Sequence, residues 1–163
     1  MQKSTPLPAN PDVLRTFAAV PPSCRVLVAE PNPDRHGVPL RMLGFEVVPV
    51  DDPADLAPAS CDWGLAYRYF DATTDVAIFE HGVRALHHAL KDGAWFYMGI
   101  RFATPQELPQ NGKVPPVRFT VIGLNLAMEK MGFALAQLPQ TYLEDGEEIV
   151  CGLYRKVTPD TIG

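Results

Sequence analysis

The chain has 163 residues, 47% of them apolar and 20% charged, which suits one globular domain with a real core and argues against a disordered or membrane-embedded chain. A formal net charge of −5 excludes a broad polyanion-binding surface, so nucleic acid is not expected as a partner. Cys24, Cys61 and Cys151 are odd in number, far apart and outside any CxxC pair, so no disulfide framework and no metal site is expected, and a reducing cytoplasm fits.

Residues 1–11 are polar and proline-bearing, lack the apolar core of an export signal and read as a flexible arm. No run of ~18 apolar residues follows anywhere, so no membrane-spanning helix is expected. A short helix is predicted at about Asp12–Ala19, closed by Pro21-Pro22. Val26 to Asp51 then reads as strand, turn, helix and strand, because the apolar period changes from a continuous run at Val26–Ala29 to a helical face at Val38, Leu40, Met42 and Leu43. The period changes back to a β-rich run at Val47, Val48 and Val50. Gly44 stands where the helix must stop.

The stretch from Asp51 to Asp62 has room for one short helical turn and not for a strand with its crossover. The next strand is predicted at Trp63–Tyr67. An amphipathic helix follows at Val76–Leu90, with Val76, Phe79, Val83, Leu86 and Leu90 on one face and Lys91-Asp92-Gly93 as its terminator. Ala94–Ile100 is apolar enough for a central strand. Residues 101–118 form a long proline-rich loop of the kind that serves as a lid or binding loop. Phe119-Thr120 opens a helix to about Met131, and strands at Ala134–Leu138 and Glu148–Lys156 close the chain around the Asp145-Gly146 turn.

This order of elements resembles the class I S-adenosylmethionine-dependent methyltransferases. The helix, Lys91-Asp92-Gly93 and apolar strand look like the family's leucine-rich helix, "LKPGG" and strand. Phe119 to Phe133 resembles its "FSLEELRRLLEEAGF" helix, and Arg35 to Asp51 matches its "RHALYLAELGYEVTGVD" pattern without a gap. The resemblance covers roughly residues 12–157. It implies an α/β Rossmann-like methyltransferase fold in a single domain, residues 1–163: a mostly parallel sheet of about six strands with a C-terminal antiparallel hairpin, here with the third strand missing. It further implies S-adenosylmethionine as the cofactor.

Two departures bear on function. The family's glycine-rich first turn falls on Glu30-Pro31-Asn32-Pro33-Asp34, where Glu30, Asn32 and Asp34 replace the glycines and the two prolines lack N–H donors. Asp34 is placed to cap the following helix, and two carboxylates there would repel the carboxylate of the methionine moiety. The short link after Asp51 also removes the segment that walls the adenine.

Candidate cofactor-binding residues are Glu30, Asn32, Asp34, Asp51 and Asp52, the last two closing the second strand where ribose hydroxyls bind in such folds. Tyr67, Arg68 and Tyr69 follow the strand that bears the family's catalytic motif and are the catalytic candidates. Arg68 otherwise reads as solvated, His36 as a surface residue, Glu144–Glu148 as a solvated turn, and His81, His87 and His88 as a solvent-facing or partly packed set. The expectation is a methyltransferase-like domain with a degraded cofactor site, working as a non-catalytic binding or partner subunit; the alternative is an active methyltransferase of unknown acceptor. The bare edge of strand two implies a homodimer or a protein partner.

Overall fold

The computed structural model describes residues 8–101 and 119–157. Helix α1, Pro11–Ala18, begins where Asn10 accepts the Asp12 N–H at 2.8 Å, and Pro11 sits at a position whose missing N–H costs nothing. Val13 and Phe17, one turn apart, bury its inner face. Strand β1, Arg25–Ala29, is buried along all but its first residue.

Helix α2, Asp34–Met42, stops at Gly44, whose φ of +102° lets the Phe45 N–H reach the Leu40 carbonyl and the Gly44 N–H reach that of Arg41. Strand β2, Glu46–Pro49, follows, and the link beyond it holds one turn of 3-10 helix at Pro53–Asp55 before strand β3, Cys61–Tyr67.

Helix α3, Val76–Ala89, is capped by Asp75 and buries Phe79, Val83 and Leu86. Strand β4, Leu90–Arg101, starts earlier than the sequence reading placed it. A buried Leu90 satisfies helical and strand periods alike; the helix ends there in extended backbone, and Lys91-Asp92-Gly93 forms an irregularity within the strand. Helix α4, Val121–Lys130, is capped by Thr120. Strands β5, Phe133–Glu144, and β6, Glu147–Lys156, form the closing hairpin. β5 runs well past Leu138, where the sequence reading ended it, because an edge strand with register shifts tolerates Pro139.

The six strands are ordered β2-β1-β3-β4-β6-β5, with β2, β1, β3 and β4 mutually parallel and β6 antiparallel to both its neighbours. The sheet ends at β2, as expected of a chain whose third strand is missing. One face packs against α3 and α4 through Phe79, Leu86, Phe96 and Met98. The other packs against α1 and α2 through Phe17, Leu40, Leu65 and Tyr97. No described helix is long and apolar enough to cross a membrane.

Candidate functional site

The carboxyl ends of β1, β3 and β4 meet the far end of β5, which is where an open α/β sheet places its ligands. Glu30 leaves β1 only 5% exposed. Its two oxygens accept from the His36 backbone N–H at 3.0 Å and lie 2.7 Å from His36 Nδ1. His36 is fully buried, and its Nε2 accepts the Asn10 N–H at 3.0 Å. A backbone N–H can only donate, so Nε2 carries no proton, and the imidazole is the neutral tautomer that donates from Nδ1 to Glu30.

From Asn10 the network passes to β3. The Asn10 side-chain amide donates to the Tyr67 hydroxyl at 2.7 Å, and Tyr67 donates in turn to Glu144 at 2.7 Å. The Tyr67 ring lies against Gly99, where a Cβ would stand 2.8 Å from it, so this glycine leaves room for the phenol. Glu144 receives both terminal nitrogens of Arg35, whose guanidinium also sits 4.9 Å from the Tyr67 ring centroid and donates to the Pro8 carbonyl at 3.0 Å. Arg68 has a φ of +55°, an uncommon conformation for a residue with a side chain. Its guanidinium spreads over Asp71 at 2.7 Å, Glu147 at 2.9 Å and Glu144 at 3.4 Å. Arg101 completes the cluster, pairing with Glu147 at 2.7 Å and donating its N–H to Asp71.

Burial raises the Glu144 carboxyl, but the bonds from Arg35 and Tyr67 outweigh it and hold the group below the usual range. Asp71 goes the other way: burial dominates over its bonds to Arg68 and Arg101 and lifts it. Burial acts against the Arg68 charge, yet Asp71 and Glu147 hold it more firmly protonated than usual. Burial chiefly, together with the Glu144 charge, raises the Tyr67 phenol well above its ordinary value.

The donors at the start of α2 are all used within the chain. Asp34 N–H meets the Asn32 side-chain oxygen at 3.2 Å, Arg35 N–H the Asn32 carbonyl at 3.0 Å, His36 N–H Glu30 at 3.0 Å, and Gly37 N–H the Pro33 carbonyl at 3.2 Å. Asp34 therefore does not cap this helix as its position in the sequence implied. Pro33 already has helical backbone and is the cap residue, so Asp34 becomes the first helical residue and Asn32 and Glu30 take the capping role.

Of the residues singled out in the sequence, Glu30, Asn32, Tyr67 and Arg68 come together around a cavity of about 330 Å³, joined by Arg35 and Asp71. Asp51, Asp52 and Tyr69 form a separate group beyond β2. Asp52 caps the Ala54 N–H, the Tyr69 hydroxyl donates to the Asp51 carbonyl at 3.0 Å, and the Asp51 carboxylate makes no hydrogen bond among the described residues. Burial, with the nearby Asp52 and Asp51 charges, raises the Tyr69 phenol. The loop expected as a lid, 101–118, lies outside the described residues except for Arg101.

Three local readings change. Arg68 is paired rather than solvated, His36 is buried rather than on the surface, and Glu144 and Glu147 are ion-pair partners rather than a solvated turn. Asn10, Arg35, Asp71 and Arg101 were missed altogether. His87 packs against the Gly132 and Val157 carbonyls, and burial lowers its pKa. Among the described residues no group of three His, Cys, Asp or Glu side chains could hold a metal ion.

The fold is that of S-adenosylmethionine-dependent methyltransferases. It is shared with the 1,6-didemethyltoxoflavin-N1-methyltransferase of Burkholderia thailandensis, solved with 1,6-didemethyltoxoflavin and S-adenosylhomocysteine bound, at a TM-score of 0.73 and 14% identity over 89% of this chain and 78% of that one. A methyltransferase from Methanosarcina mazei superposes at 0.69 with 10% identity over 93% and 99%. The cyclase SpnF superposes at 0.67 with 9% identity over 90% and 80%. At such identities the likeness is one of fold, and the class it defines is methyltransferase-like. No family model and no curated protein matches the sequence.

Proposed function

We propose that this chain is a methyltransferase-like domain that serves as a binding or partner subunit and does not hold S-adenosylmethionine in the ordinary pose. The observation that carries this reading is the internal satisfaction of the α2 N-terminus. A nucleotide tail resting on the first turn needs free backbone N–H groups and a compatible charge, and here Asn32 and Glu30 use those donors while Glu30 adds a carboxylate beneath them. Pro31 and Pro33 remove two further donors from the same turn. These residues do not fit the cofactor's usual seat, so no methyl-transfer step is assigned to them.

The cavity and its neighbours favour a second reading, an active methyltransferase with atypical cofactor binding. The 330 Å³ space lies at the ends of β1 and β3, and the Asp51 carboxylate is exposed at the end of β2, where a ribose would be held. Tyr67, Arg68 and Tyr69 would then face the acceptor. Calorimetric titration of S-adenosylmethionine and S-adenosylhomocysteine separates the two. Absence of heat up to ~1 mM supports the partner subunit, whereas micromolar binding abolished by Asp51→Ala supports the enzyme.

A partner also accounts for β2. This four-residue edge strand is only partly buried and carries no strand on its outer side among the described residues. A second copy or another protein docks there in this proposal. Sedimentation of a strictly monomeric chain at ~100 µM would count against the homodimer.

A further inference from the structure

A second cavity, of about 580 Å³, lies away from the network, between α1 and the β5–β6 hairpin. Its floor is made by Trp63 and Trp95, which are paired across β3 and β4 and only partly buried. In the sequence both read simply as core or interface.

The aromatic row here is filled face to face. Phe17 lies 5.1 Å from Trp63, the two indoles lie 5.9 Å apart at an interplanar angle of 18°, and the Arg155 guanidinium sits 5.9 Å from Trp95. With their faces occupied, the indoles have their edges left, and ring edges are the positive end of the aromatic quadrupole. Neither indole N–H has a hydrogen-bond partner among the described residues, although a buried tryptophan usually finds one.

The rim has the same bias. Asp12 is used by Arg15 at 3.2 Å and by the Tyr97 hydroxyl at 2.7 Å, so its charge is matched and its acceptors are engaged. The Thr16 hydroxyl proton goes to the Asp12 carbonyl at 2.8 Å. Gln140 has given its oxygen to the Tyr142 hydroxyl and keeps its N–H groups, and Gln137 has no partner among the described residues. What remains is a cleft rich in donors, poor in acceptors and locally neutral, with apolar walls that include Leu153 and Val20. Its volume lies within the ~300–1,000 Å³ of small-molecule sites.

We infer that this cleft is a binding site for a neutral, planar ring compound bearing carbonyl acceptors, held by the indole N–H groups of Trp63 and Trp95 and by the Gln137 and Gln140 amides. The inference stands independently of the reading given to the cavity at Glu30 and Tyr67.

The chain contains two tryptophans, so their two indole N–H resonances report on this cleft without assignment ambiguity. Coumarin, a flat neutral lactone, is titrated into the full ¹⁵N-labelled chain, with indole, flat but lacking a carbonyl, as the control. The expected result is a saturable shift of both indole resonances with coumarin and none with indole. Gln137→Ala, an exposed change that leaves the core intact, should weaken coumarin about three- to tenfold by removing one hydrogen bond. Three results would each overturn the inference: no saturable shift up to ~10 mM coumarin, equal shifts with indole, or shifts that follow protein concentration and so report a second copy on this face.

Discussion

Arg35 and Glu144 stand 109 positions apart, yet both terminal nitrogens of the guanidinium meet the one carboxylate, tying the first turn of α2 to the closing hairpin. Tyr67 and Arg68 share that carboxylate, so Glu144 joins β3 to the same knot. The side chains of the Arg35–Glu144 pair are 11% and 12% exposed, which places the pair between a surface ion pair and a fully buried one.

Glu144→Ala leaves two guanidiniums and a phenol facing a hole. It should lower unfolding free energy by about 2–4 kcal/mol, and Arg35→Ala by a comparable amount. In a double-mutant cycle by urea denaturation the pair should show coupling of about 1–3 kcal/mol, since one change removes most of what the other would lose. Additive effects would mean that the contact does not bear on stability.

Acid stability should depend on Glu144 in a defined direction. Its folded pKa lies below the model value of 4.5, so its contribution is complete above that value and is lost as pH falls through the lower folded pKa. Glu144→Gln should therefore flatten the loss of stability below about pH 4.5. Asp71 has the opposite sign: its folded pKa is raised, so its contribution is present at low pH and is lost as pH rises through that raised value. Asp71→Asn, which can still accept from the Arg101 N–H, should cost less at pH 7 than Glu144→Gln. Melting curves across pH 3–7 test both.

His36 is buried between a carboxylate and a backbone donor. Its side-chain ¹⁵N spectrum should show Nδ1 protonated and Nε2 bare at neutral pH. His36→Phe keeps the bulk but strands the Glu30 carboxylate and the Asn10 N–H, and should cost about 3–5 kcal/mol.

Gly99→Ala would place a methyl group 2.8 Å from the Tyr67 ring. The ring would be pushed from its position between Asn10 and Glu144, with an overpacking cost of about 1–3 kcal/mol. Near-ultraviolet circular dichroism should report the displaced tyrosine.

The fold was legible because its elements are set by local patterns. The continuous apolar run of β1, the Gly44 stop of α2 and the one-face spacing of α3 each depend on neighbours within a few turns. The ends of β4 and β5 were less so, since Leu90 satisfies two periods and Pro139 reads as a terminator until its strand is known to be an edge. The site divided in the same way. Glu30, Asn32, Tyr67 and Arg68 could be found from their places after strands, but Glu144 beside an Asp-Gly turn looks like any solvated acid. Its partners come from positions 77 and 109 residues away, and no local pattern carries that information. Asn10, one residue before a proline-led helix, was readable as a cap and not as the link from His36 to Tyr67.

The central claim is that the donors at the start of α2 are already spent. The backbone ¹⁵N–¹H resonances of Arg35 and His36, followed while S-adenosylhomocysteine is added up to ~1 mM, test it most directly. The account predicts that both stay in place. Saturable movement of both at micromolar ligand, with loss of the Glu30 bond to His36, would contradict it.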